Sequence, residues 1–108
     1  MKLLTKEIEK KLRANAADPD GNHAPVMKLF NPTGAATWLI SEMDENGMMF
    51  GLADRGMGSP EMGYIDFNEL AEYRGPMGLG IERDLGFKGT KPLVEYYNDA
   101  KATGRITA

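Results

Sequence analysis

Glu82-Arg83-Asp84 sets two carboxylates beside a guanidinium, within the glycine-rich stretch RGPMGLGIERDLGF spanning residues 74–87. In an extended segment Glu82 and Asp84 point to one side and Arg83 to the other. Such a carboxylate pair can hold a cation or exchange protons. Arg83 can grip a further carboxylate through two parallel N–H donors, and Glu61 in SPEMGY and Glu42 in TWLISEM are the candidate acids. One reading is a structural clasp that pins glycine-rich loops. The other is a small enzyme or ligand-binding domain with a charged cleft formed by Glu61, Arg74, Glu82, Arg83 and Asp84. The clasp is favoured, because charged loop clusters without a histidine or a metal more often serve structure. Trp38, Glu42 and Tyr64 complete the set of candidate binding residues.

Other chemistries find less support. Gly75, Gly78, Gly80 and Gly86 match neither the phosphate-binding loop nor the dinucleotide fingerprint. DPDGN (residues 18–22) places Asp18, Asp20 and Asn22 at alternate positions, as in a calcium loop. Its glycine falls one place early, however, and Leu29 stands where a bidentate glutamate is required. An acidic turn explains these residues. His23 is the single histidine and there is no cysteine, so a metal site would have to be built from carboxylates. It reads as a surface loop residue. Ser41 and Ser59 lie outside any nucleophile elbow. No catalytic residue, metal or cofactor is assigned.

Charge is unevenly placed along the 108 residues. Residues 1–13 carry five basic and two acidic groups, residues 14–72 two basic and ten acidic, and residues 73–108 six basic and four acidic. An acidic middle repels phosphate backbones, which argues against nucleic acid as the partner. Lys2, Lys6, Lys10, Lys11 and Arg13 form a basic patch that reads as a solvated helix face. The start, MKLLTKEIEKKL, is too charged for a secretory signal, and no apolar run is long enough to span a membrane. A soluble, cytoplasmic protein without a membrane partner is expected.

The elements that must position these residues form one domain over residues 1–108. Leu4, Ile8 and Leu12 predict an amphipathic helix over residues 5–15, capped by Thr5. Pro19, Gly21 and Pro25 make residues 17–25 a loop. VMKLF (26–30), TWLISEM (37–43) and MMFGLAD (48–54) read as strands. Asn46-Gly47 predicts a two-residue hairpin turn with positive φ at both positions, pairing Met43 with Phe50, Ser41 with Leu52 and Ile40 with Ala53. Leu39, Met43, Phe50 and Leu52 then share a core face. Trp38, Ile40, Glu42, Met49, Gly51 and Ala53 share the other, and elements are expected over parts of both. GYIDF (63–67) runs into a short helix that Asp66 caps, Glu69 supports and Gly75-Pro76 ends. Residues 80–88 hold an irregular strand. Thr90, Pro92, Leu93, Tyr97 and Ala100 mark a helix that Gly104 stops, within the segment 91–108 of last helix and tail. The expected fold is α+β: a small antiparallel sheet with N-terminal, short middle and C-terminal helices.

MKLLTKEI, KLFNPTGAATWLISE, FGLAD, PEMGYIDFNEL and RGPMGLGIERDLGFKG, in this order, resemble the bacterial family called domain of unknown function 2958. The resemblance covers roughly residues 1–90, and RGP-x-GL-x-IERDL-x-F is its most specific part. It implies a small protein of plasmids, phages and other mobile elements, often near DNA-transfer or host-interaction genes. It brings no catalytic residues. The expected function is a non-enzymatic accessory that binds another protein, such as a host defence or DNA-processing component. Eight methionines suit adaptable contacts.

Overall fold

The computed structural model describes residues 2–18 and 20–108; Met1 and Pro19, the latter read above as a helix breaker, lie outside the described residues. Its elements are α1 (Lys6–Ala17), β1 (Met27–Phe30), β2 (Thr37–Met43), β3 (Met48–Asp54), β4 (Glu61–Asp66), α2 (Phe67–Glu72), β5 (Glu82–Arg83) and α3 (Leu93–Thr103), with one 3-10 turn at Pro76–Gly78. The strands form one antiparallel sheet in the order β4-β3-β2-β1-β5. The expected α+β architecture is the one observed.

Helices form where local chemistry ends them cleanly. Thr5 Oγ1 accepts the Ile8 amide at 3.1 Å, satisfying one of the orphan donors of the first turn. Asp66 does the same for Asn68 at 2.9 Å, so β4 passes directly into α2. Gly104, at φ 82°, closes α3 in the left-handed conformation a β-carbon disfavours.

The sheet is buried on both faces. On one, Leu12 of α1 packs with Met27, Leu29, Trp38, Ile40, Met43, Met49 and Ile81. On the other, Leu93 and Ala100 of α3 pack with Leu39 and Leu52, flanked by Phe50, Phe87 and Tyr97. This explains why β2 and β3 read as apolar in both alternations.

The hairpin register differs from the sequence expectation. Leu39 faces Leu52, Ile40 faces Gly51, Glu42 faces Phe50 and Met43 faces Met49, with an irregularity between Ile40 and Glu42. The cause lies in the turn and in α1. Asp44 accepts the amides of Asn46 and Met48 through its carboxylate, both at 2.9 Å, while its own amide donates to Met48 O at 2.9 Å. That makes a three-residue loop in which Gly47 alone takes positive φ, 83°. At the irregularity, Asn15 Nδ2 of α1 donates to Ser41 O at 2.9 Å, supplying a partner for a carbonyl at the disrupted ladder. The bulge turns Met43 onto the α1 side with Trp38 and Ile40, away from Leu39 and Leu52.

Candidate functional site

The two sheet edges are unlike. β5 is two residues long, whereas β4 is six, and among the described residues no strand lies outside β4. β4 is aligned by its flanking turns. Asp54, 4% exposed, accepts Gly56 N at 2.8 Å with one oxygen and Ile106 N at 2.9 Å with the other. It thereby fixes both the exit from β3 and the tail beyond α3. At the other end Phe67 N donates to Gly47 O at 3.3 Å. Antiparallel ladders alternate, so Ile65, Gly63 and Glu61 turn their backbone groups toward β3. Met62, Tyr64 and Asp66 turn theirs outward.

This outward edge carries apolar surface. Tyr64 is 77% exposed and Met57 76%, and Met62 is exposed as well. The Tyr64 ring meets Phe50 edge-on at 5.3 Å between centroids, which holds it over the α3 face. On the α1 face a hollow of about 350 Å³ runs past Ala53, Gly63 and Ile65, with Arg55, Ser59 and Glu61 among its lining. A β-carbon built on Gly63 meets nothing within 4 Å. Directly across the ladder, one on Gly51 would stand 2.2 Å from Leu39 O and 3.0 Å from Ile40 Cδ1. Close packing dictates Gly51; nothing inside the chain dictates Gly63.

The charged residues singled out in the sequence do not converge. Glu61 stands on β4 and Glu82–Arg83 form β5, opposite edges roughly 19 Å apart at about 4.8 Å per strand. The proposed grip of Arg83 on Glu61 is therefore corrected, and Glu61 shares no cleft with Glu82, Arg83 and Asp84. Glu42 is also separated: it lines a groove with Leu93 and Val94 on the α3 face, whereas Arg83 reaches a segment packed on the α1 side. Arg83 fastens chain segments through main-chain oxygens, donating to Lys2 O at 2.8 Å and Leu3 O at 3.1 Å. Beside it Lys28 Nζ donates to Ala108 O at 2.6 Å and lies 3.7 Å from Asp84. Asp84 also accepts Gly86 N at 2.9 Å. Arg74 donates to Ala71 O and Tyr73 O at 3.0 and 2.7 Å, covering the carbonyls that end α2. Trp38 is buried in the α1-side core. Glu61 and Tyr64 both line the hollow beside β4, Glu42 and Tyr64 flank Phe50 on the α3 face, and Glu82, Arg83 and Asp84 stay together at the β5 edge.

His23 sits half-buried in its loop. Its Nε2 lies 3.2 Å from Asp18 Oδ2, close enough for an ion pair but out of line for a hydrogen bond. Asp18 turns its other oxygen to Asp20 N at 3.0 Å, the expected acidic turn. On the exposed side of α3, Lys91 Nζ donates a hydrogen bond to Asp99 Oδ2, which holds Lys91 above the ordinary lysine range, with the Asp99 charge contributing. Among the described residues no group of three or more His, Asp or Glu side chains is placed to hold a metal ion. Among the same described residues no helix is long and apolar enough to cross a membrane.

Gly63, Met57 and Met62 are the surface residues that sequence reasoning missed as site members. The available signal was a glycine inside a strand pattern with no turn to explain it.

A five-stranded antiparallel sheet with helices on both faces and one long unpaired edge defines a small α+β domain. The chain belongs to the family described as protein of unknown function (DUF2958), whose model matches residues 3–107. Comparison with curated proteins and with solved structures returned no match.

Proposed function

We propose that this protein is a non-enzymatic accessory of a bacterial mobile genetic element, acting in the cytoplasm by binding another protein. A host defence or DNA-processing component is the partner class that the family resemblance implies. The observation carrying the binding role is the β4 edge: six residues of strand, outward backbone groups at Met62, Tyr64 and Asp66, and exposed apolar side chains around them. Natural sheets usually shorten, charge or cover such an edge, because it templates pairing with another chain. Here the opposite edge is shortened and its neighbouring segments are clasped by Arg83 and Lys28, while β4 is left long. A partner strand added to β4 would gain main-chain hydrogen bonds and apolar contacts together. The dispersal of Glu42, Glu61, Arg74 and the Glu82–Asp84 run speaks against a shared catalytic cleft.

The test compares proteins captured from the native host by three baits. They are the wild type, Tyr64→Pro, and a control with Lys6 and Lys10 changed to glutamate on α1. Proline at Tyr64 removes an outward donor while sparing the ladder to β3. The wild type and the α1 control should capture the same protein, and Tyr64→Pro should lose it while keeping the wild-type circular dichroism. Equal capture by a folded Tyr64→Pro protein would contradict the proposal.

A further inference from the structure

Resting on that reading, we infer that the β4 edge takes an extended protein segment alternating basic and apolar side chains. Its basic residues would lie across Gly63 and its apolar residues against Met62 and Tyr64. Three observations set this pattern. The first is charge. Residues 61–72 contain Glu61, Asp66, Glu69 and Glu72 and no lysine or arginine, and none of these acids joins an ion pair among the described residues. Arg55 lines the hollow with Glu61 and offsets one of them, which leaves the segment acidic.

The second is the hollow over Gly63. On the α1 face the row Ile40, Gly51, Gly63 runs across the sheet. Ile40 fills the space above Gly51, and the space above Gly63 stays open. A neighbouring strand's side chain leaning inward from the edge would occupy it. A lysine or arginine fits best, because its aliphatic stem can cover the glycine while its charged end reaches Glu61.

The third is the opposite face. There Met62 and Tyr64 stand beside Phe50 and the exposed Val94, a surface suited to alternate apolar residues of the same strand. A second copy of this chain is the competing occupant. It would bring Glu61 and Asp66 of two β4 edges together, a like-charge pairing that edges avoid.

The probe is a soluble peptide of about eight residues alternating lysine and valine, compared with its glutamate–valine counterpart. Amide shifts of the isotope-labelled protein are followed by NMR, and sedimentation of the protein alone is measured in parallel. The lysine–valine peptide should shift the amides of Met62, Tyr64 and Asp66 first. The glutamate–valine peptide should bind about tenfold or more weakly. Gly63→Val should fold with an unchanged or higher melting temperature and bind the lysine–valine peptide about tenfold or more weakly, because its side chain fills the hollow. Equal binding of the two peptides at β4 would overturn the charge assignment while leaving the edge as the binding surface. Undiminished binding by Gly63→Val would overturn the role of the hollow. Shifts confined to other elements, or no binding at millimolar peptide, would overturn both the strand assignment and the edge. A dimer that Tyr64→Pro abolishes would make a second copy the occupant and overturn the proposal.

Discussion

Gly51 and Gly63 face each other across the β3–β4 ladder, so the same substitution at each reads the packing on either side of one hydrogen-bonded pair. Neither has the left-handed φ that would itself demand glycine. At Gly63 an added methyl meets open space, and replacing glycine narrows the unfolded ensemble. Gly63→Ala should therefore stabilise the fold by about 0.4–1 kcal/mol. At Gly51 the methyl would stand 2.2 Å from Leu39 O, a main-chain atom of the central strand β2 that cannot rotate aside. The ladder must shift, and Gly51→Ala should destabilise by about 1–3 kcal/mol, the usual range for overpacking. Urea or thermal unfolding of the two variants should separate their melting temperatures by about 6 °C or more, at roughly 4–8 °C per kcal/mol for a domain near this size. If Gly63→Ala were the more destabilised, the hollow would be filled in the folded chain and the argument from open space would fail.

Asp54→Ala removes the buried acceptor of two partly buried amide bonds and should cost about 3 kcal/mol, lowering the melting temperature by about 12–24 °C. A change of only a degree or two would contradict its role in fastening the tail. Arg83→Ala should cost about 1–2 kcal/mol, since its bonds to Lys2 O and Leu3 O are partly solvated, and should speed hydrogen exchange in α1's first turn. Unchanged stability together with lost partner binding would make that segment a site. Lys91 is raised by its Asp99 bond, so any stability it contributes is fully present below about pH 10.4 and lost as pH climbs through its higher folded value. Asp99→Asn should lower neutral-pH melting by the same small amount that it removes from the high-pH loss, so that the two proteins converge at high pH; a variant that keeps the wild-type high-pH loss would contradict the assignment.

What was legible in the sequence was what local chemistry decides. Thr5, Asp66 and Gly104 mark helix ends because a cap is satisfied by residues within one turn. The mixed apolarity of TWLISEM and MMFGLAD announced a sheet covered on both faces. Register was not legible, because it depends on Asp44 closing a three-residue loop and on Asn15, on a distant helix, holding the Ser41 carbonyl. The clasp at Arg83 was readable as a fastening, but its Lys2 and Leu3 carbonyl partners leave no side-chain signature. Glu61 and Glu82 look equivalent in sequence, and only strand order sends them to opposite edges. Gly51 and Gly63 both stand out as glycines inside strand patterns, but which of them has open space above it is a property of three strands together.

The central claim, that β4's outward edge is the binding surface, is tested most directly by amide hydrogen exchange along β4 with and without the captured partner. In the free protein Gly63 and Ile65 should exchange slowly and Met62 and Tyr64 fast, following the alternation of the ladder. With the partner bound, Met62 and Tyr64 should become protected. Met62 and Tyr64 amides that are already slow in the free chain, or that stay fast in the complex, would contradict it.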